Sequence, residues 1–160
     1  MGPVIGPSLA PGVAARLADE SLTGDELAAV VARVGDEHPG SPLVVEGAGG
    51  VLVELGSDGT TCADLAARVG LPVVVVARPG LGTLNHTALT LAELDHRGLP
   101  VAGVVVSGYP ADPDIATRSN LAELDRLSGG RLLAVLDHIP RLTPASLTWA
   151  RDHGVAGLLE

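Results

Sequence analysis

The chain has 160 residues, 46% of them hydrophobic, which is enough for one domain with a buried core. A formal charge of −9, with one Trp, one Tyr and no Phe, excludes both a cationic groove for a nucleic-acid backbone and an aromatic platform for stacked bases. The single Cys62 excludes an internal disulfide, and no apolar run approaches the ~20 residues of a bilayer span, so a cytoplasmic protein without a membrane or nucleic-acid partner is expected.

The first 22 residues are punctuated by Gly and Pro and read as loop, where a doubly wound domain opens on a buried strand. The chain is therefore expected to begin partway through its fold. Thr23 followed by Glu26 forms a capping box for a helix to about residue 37, with Leu27, Val30, Val31 and Val34 as its apolar stripe. Beyond it, continuously apolar β-branched runs at 42–46, 72–77, 101–106 and 131–137 predict buried strands. They alternate with segments of helical periodicity at 61–69, 83–97 and 113–127. Thr143 and Pro144 read as N-cap and N1 of a last helix, and 154–160 as a final short strand. With no linker or repeat, residues 1–160 form a single α/β domain in which helices flank a mostly parallel sheet.

Ligands of such a sheet sit beyond the carboxyl ends of its strands. There the stretch "LVVEGAGGVLVEL" closes an apolar run on Glu46 and then on Gly47, Ala48, Gly49 and Gly50. An acid at that place suits a magnesium ion beside nucleotide phosphates, and the glycines suit a sharp turn with close backbone approach. The plainer reading is a tight turn with a solvated glutamate. The stretch "RPGLGTLNHT", residues 78–87, opens a helix whose first N–H groups make an anion site around Gly82 to Asn85. Gly80 and Gly82 fit a dinucleotide fingerprint, but Asn85 takes the third glycine's place and the next strand ends in Ser107 and Gly108 instead of an acid, which argues against nicotinamide or flavin. His86 reads as a capping or packing histidine. "SGYP" at 107–110 and "HIPRL" at 138–142 fall on the same edge of the sheet and are otherwise ordinary surface loops.

Taken in order, "VVEGAGGVLVEL", "DLAARVGLPVVVVARPGLGTLNHTALTLAEL", "RGLPVAGVVVSGYP", "SNLAEL" and "IPRL" resemble the C-terminal two-thirds of dethiobiotin synthetase, and "PSLAPGVAARLA" is similar to the segment before that family's long helix. The resemblance implies a homodimeric enzyme of the P-loop class that uses ATP and Mg2+ to close a ureido ring on 7,8-diaminononanoate with CO2. It assigns Glu46, Gly47, Ala48 and Gly49 to the nucleotide, with Glu46 as the magnesium ligand. Leu81, Gly82, Thr83, Leu84 and Asn85 receive the substrate carboxylate across the dimer interface, and Ser107, Gly108, Pro140, Arg141 and Leu142 hold adenine.

The sequence departs from the family in two ways. Ser107 and Gly108 stand where relatives often carry an Asn-Asp pair. All ten basic residues are arginine, so neither the phosphate loop's lysine nor the family's second catalytic lysine is present. The chain is therefore expected to be N-terminally truncated relative to the family and inactive by itself, with apolar strand edges or faces left exposed. The enzyme reading then makes these residues a truncated gene model, a fragment, or one half completed by a separate chain that bears the phosphate loop. The alternative is a non-catalytic remnant or partner subunit that keeps a dimer surface and a weak carboxylate site. A related amidoligase acting on a larger acid is disfavoured by the short chain and by Cys62, which lies in a helix.

Overall fold

The chain divides into two units, Met1–Leu71 and Pro72–Glu160. The structure, a computed structural model, describes residues 9–141; the helix expected from Thr143, the strand expected over 154–160 and Leu142 lie outside them.

In the first unit, α1 (Pro11–Leu17) forms where the sequence reading placed loop. Pro11 is the reason: at N1 its φ is already helical and its missing N–H costs nothing. The small residues Gly12, Ala14 and Ala15 are buried, and the Gly12 N–H donates to the Glu54 carbonyl at 3.0 Å. Helix α2 (Gly24–Glu37) starts on the expected capping box, with Thr23 N–H donating to Glu26 Oε2 at 2.7 Å and Glu26 N–H returning to Thr23 Oγ1 at 3.3 Å. Helix α3 (Cys62–Val69) repeats the device with Thr61 and Asp64. It ends at Gly70, whose φ of 68° is left-handed.

The run at 42–46 is a correction to the sequence reading: it forms no strand. A strand exists through the ladder it shares with a neighbour, and no described residue pairs with this run. Leu43, Val44 and Val45 accordingly stay 36%, 71% and 40% exposed.

Asp58 links α2 to the turn before α3. Its carboxylate accepts from the Gly24 N–H at 3.1 Å and from the Thr60 N–H at 3.0 Å, and these backbone bonds hold its pKa below the ordinary 3.8. A group depressed in the folded state stabilises above its unfolded pKa and loses that contribution as pH falls through the folded pKa. Between pH 7 and pH 2 the melting temperature of the wild-type chain should therefore fall further than that of Asp58→Asn, which is neutral throughout. Equal acid losses in the two proteins would show that these bonds carry no stability.

The second unit contains β1 (Val73–Ala77), α4 (Thr83–His96), β2 (Val101–Tyr109), α5 (Ile115–Leu127) and β3 (Leu132–Asp137). The three strands make a parallel sheet in the order β1-β2-β3, as the alternating pattern predicts. Val104 and Val106 of the central strand, Leu94 of α4 and Leu124 of α5 are among the fully buried residues. Burial alternates along β1: Val75 and Ala77 are inside, whereas Val74 and Val76 remain 40% and 66% exposed. The expectation of exposed apolar faces holds at these positions. No helix among the described residues is long and apolar enough to cross a membrane.

Candidate active site

From the end of β1 the backbone turns through residues 78–82 into α4. Gly82 makes the turn with a φ of 88°, and no side chain caps the helix. The Thr83 N–H is bonded to the Gly80 carbonyl at 3.3 Å and the His86 N–H to the Gly82 carbonyl at 3.1 Å. The N–H groups of Leu84 and Asn85 fall in the first helical turn, where no intrahelical carbonyl lies four residues back.

Against this turn lies a cleft of about 470 Å³, lined in part by Arg78, Pro79, Gly80, Leu81, Thr83, His86, Ser107 and Gly108. In a chain with 19 acidic residues and ten arginines, no carboxylate lines it, while a guanidinium residue and an imidazole residue do. Arg78 is exposed and has no ion pair among the described residues. Thr83 is 5% exposed, and its Oγ1 is shut off from solvent with no hydrogen-bond partner. A helix N-terminus carries partial positive charge and free N–H donors, so the uncapped α4 terminus beside this cleft is suited to an anion.

Of the residues assigned to substrate, Leu81 and Thr83 line the cleft, Gly82 supplies its turn, and Leu84 and Asn85 belong to the first helical turn without lining it. Ser107 and Gly108 reach the same cleft, but from within a strand, because β2 continues to Tyr109 past a register irregularity where Gly108 has a φ of 82°. Pro140 and Arg141 follow β3; the His138 N–H, donated to the Tyr109 carbonyl at 2.8 Å, ties that exit to the end of β2. They do not line the cleft, and Leu142 is outside the described residues. The parallel topology places the exits of all three strands on one rim.

The sequence reading gave Asn120 no role. It is 6% exposed, and its Nδ2 donates to the Pro79 carbonyl at 2.9 Å and the Gly80 carbonyl at 3.4 Å. Its signal was an amide on the buried stripe Thr117, Asn120, Leu124 of α5, where an aliphatic residue is the default.

The glycine-rich segment belongs to the first unit. A Cβ on Gly47 would collide with the Cys62 sulfur, and Gly49 has a φ of 93°, so both positions call for glycine. The following residues are tied to the start of α3, with the Cys62 N–H donating to the Val53 carbonyl at 3.2 Å and the Ala63 N–H to the Val51 carbonyl at 3.0 Å. Burial raises the Cys62 thiol pKa, so the sulfur is a packing atom and not a ready thiolate. Glu46 is exposed and makes no hydrogen bond or ion pair among the described residues. No group of three or more metal-ligating side chains occurs there either. A lone free carboxylate fits the way Mg2+ is held on nucleotides, by one or two carboxylates with phosphates and water, and does not fit a closed protein cage.

A family model described as an AAA domain matches residues 3–146. The chain is 45% identical over 157 residues to the ATP-dependent dethiobiotin synthetase BioD of Mycobacteroides abscessus, covering 94% of this chain and 69% of that protein. It is 43% identical over 154 residues to the enzyme of the same name from Streptomyces coelicolor, covering 95% and 64%, and 49% identical over 129 residues to that from Frankia casuarinae, covering 80% and 53%. The chain thus spans about half to two-thirds of the length of these relatives.

Proposed function

The chain belongs to the ATP-dependent dethiobiotin synthetase family, and from that premise we propose that it serves the ATP- and Mg2+-dependent closure of a ureido ring on 7,8-diaminononanoate with CO2, a C–N ligase step of biotin synthesis. One observation carries the reading: the uncapped N-terminus of α4, with the unpartnered Thr83 hydroxyl, opens on a cleft that has no carboxylate in a strongly acidic chain.

In this reading the substrate carboxylate meets the N–H groups of residues 81–85, presented by the second subunit of a homodimer. Glu46 holds Mg2+ against the nucleotide phosphates, and the ion when bound neutralises charge on their oxygens. Gly47, Ala48 and Gly49 admit those phosphates because they present backbone with little or no side chain. Ser107, Gly108, Pro140, Arg141 and Leu142 face adenine. The whole of residues 1–160 works as one cytoplasmic domain. The absence of lysine in these residues is the observation behind a second reading, a non-catalytic remnant or partner subunit that keeps a dimer surface and a weak carboxylate site.

Titrating the 15N-labelled chain with 7,8-diaminononanoate tests the site. The amide signals of residues 81–85 should shift, and 2,3-diaminooctane, which lacks the carboxylate, should leave them in place. Identical responses to the two compounds, or none at these amides, would overturn the assignment. Thr83→Val provides a check on the same site. Removing a buried hydroxyl that has no partner should stabilise the free chain by about 1 kcal/mol in urea unfolding, while weakening binding of the diamino acid. A destabilised Thr83→Val would mean that the hydroxyl is already satisfied.

A further inference from the structure

The two carbonyls that Asn120 holds belong to the turn that aims α4. In a trans peptide the C=O and the N–H of the next residue point in opposite directions. Binding the Pro79 and Gly80 carbonyls to α5 therefore turns the N–H groups of Gly80 and Leu81 away from α5. Gly82, at a φ of 88°, then directs the chain into the helix. Glycine on both sides of Leu81 leaves this turn few side-chain constraints of its own, so an external anchor has a large effect on it. Asn120 is suited to act as that anchor, because it is buried, sits in a regular helix, and comes from 40 and 41 residues further along the chain.

We infer that Asn120 is a positioning residue, which fixes the 78–82 turn through the Pro79 and Gly80 carbonyls and so orients the α4 N-terminus toward its anion. This rests on the reading of that terminus as a carboxylate site. Asn120 itself touches neither substrate nor nucleotide in this scheme. Its contribution is preorganisation, because a turn already held in its bound form loses less conformational freedom when the ligand arrives.

The test uses the full chain with Asn120→Ala and Asn120→Leu, the second of which keeps most of the side-chain volume. Amide hydrogen exchange is measured residue by residue, together with binding of 7,8-diaminononanoate. In both variants the amides of Thr83 and His86, which are bonded to the Gly80 and Gly82 carbonyls, should exchange about tenfold faster, as expected for the loss of one net hydrogen bond, with α5 and the sheet unchanged. Binding should weaken by about the same factor. Unchanged exchange at Thr83 and His86 would overturn the inference even if binding changed, and so would a uniform loss of protection through α5 and the sheet in both variants, which assigns Asn120 to global stability. If the wild-type chain does not bind the diamino acid, the substrate reading falls, and the exchange comparison still decides whether Asn120 sets the turn.

Discussion

Dethiobiotin formation by the purified 160-residue polypeptide is expected to be lower than that of a lysine-bearing relative by about four orders of magnitude or more. Phosphoryl transfer is catalysed almost wholly by positioning and by positive charge around the β- and γ-phosphates. Removing one preorganised donor from such a site lowers the rate about 10²- to 10³-fold, and the sequence contains neither of the two lysines that the family resemblance implies. Arginine does not replace them, because a planar guanidinium lacks the compact ammonium that a phosphate loop encloses. Product analysis with ATP, Mg2+, bicarbonate and 7,8-diaminononanoate measures this directly, and calorimetry measures nucleotide affinity. Micromolar, Mg2+-dependent ATP binding by this polypeptide would defeat the expectation. Recovery of turnover on adding a polypeptide that carries a lysine-bearing phosphate loop would favour the ligase reading over the non-catalytic one.

A large stability effect is expected at Gly103, the third residue of the central strand. A Cβ there would lie 2.6 Å from the Arg131 carbonyl oxygen and 2.6 Å from Leu133 Cγ. The backbone cannot simply move aside. The Val104 N–H is bonded to that same Arg131 carbonyl at 2.8 Å, and Arg131 also reaches over the strand, its Nη1 donating to the Val101 carbonyl at 2.6 Å. Gly103→Val must therefore break part of the β2–β3 ladder or force Leu133 out of place. Overpacking of this kind costs about 1–3 kcal/mol, and the upper end is expected where one of the clashing atoms is backbone. Gly98→Ala serves as the contrast, since nothing lies within 4 Å of its Cβ position and only its φ of 66° opposes the change. Urea midpoints should fall clearly further for Gly103→Val than for Gly98→Ala. Equal midpoints would mean that the β2–β3 contact is looser than these distances imply. Because β2 also delivers Ser107 and Gly108 to the cleft, Gly103→Val should weaken ligand binding along with the sheet.

The signals that could be read from sequence act over a few residues. The Thr23/Glu26 box and the helix start at Thr61 needed only neighbours three positions away, and the structure shows both boxes closed. The apolar runs at 72–77, 101–106 and 131–137 became β1, β2 and β3 with ends shifted by at most three residues. The parallel order follows from helices lying between those runs. The Gly82 turn and the exposed N-terminus of α4 were equally local, since glycine before an uncapped helix implies both.

Whatever depended on a partner far along the chain was decided only in three dimensions. The run at 42–46 has the composition of a strand and is none, because composition supplies the side chains of a ladder and not the neighbouring backbone that completes it. Ser107 and Gly108 joined Arg78, Leu81 and Thr83 in one cleft because parallel pairing set β1 beside β2, a contact across about thirty residues of chain that no local pattern records. Asn120 reached the Pro79 carbonyl from 41 residues away. Residue types alone determined which helices and strands this chain can form and that it carries no lysine. Tertiary structure determined which carbonyls, amides and hydroxyls find partners, and it left the Thr83 hydroxyl without one, because a hydrogen bond depends on where two distant segments meet.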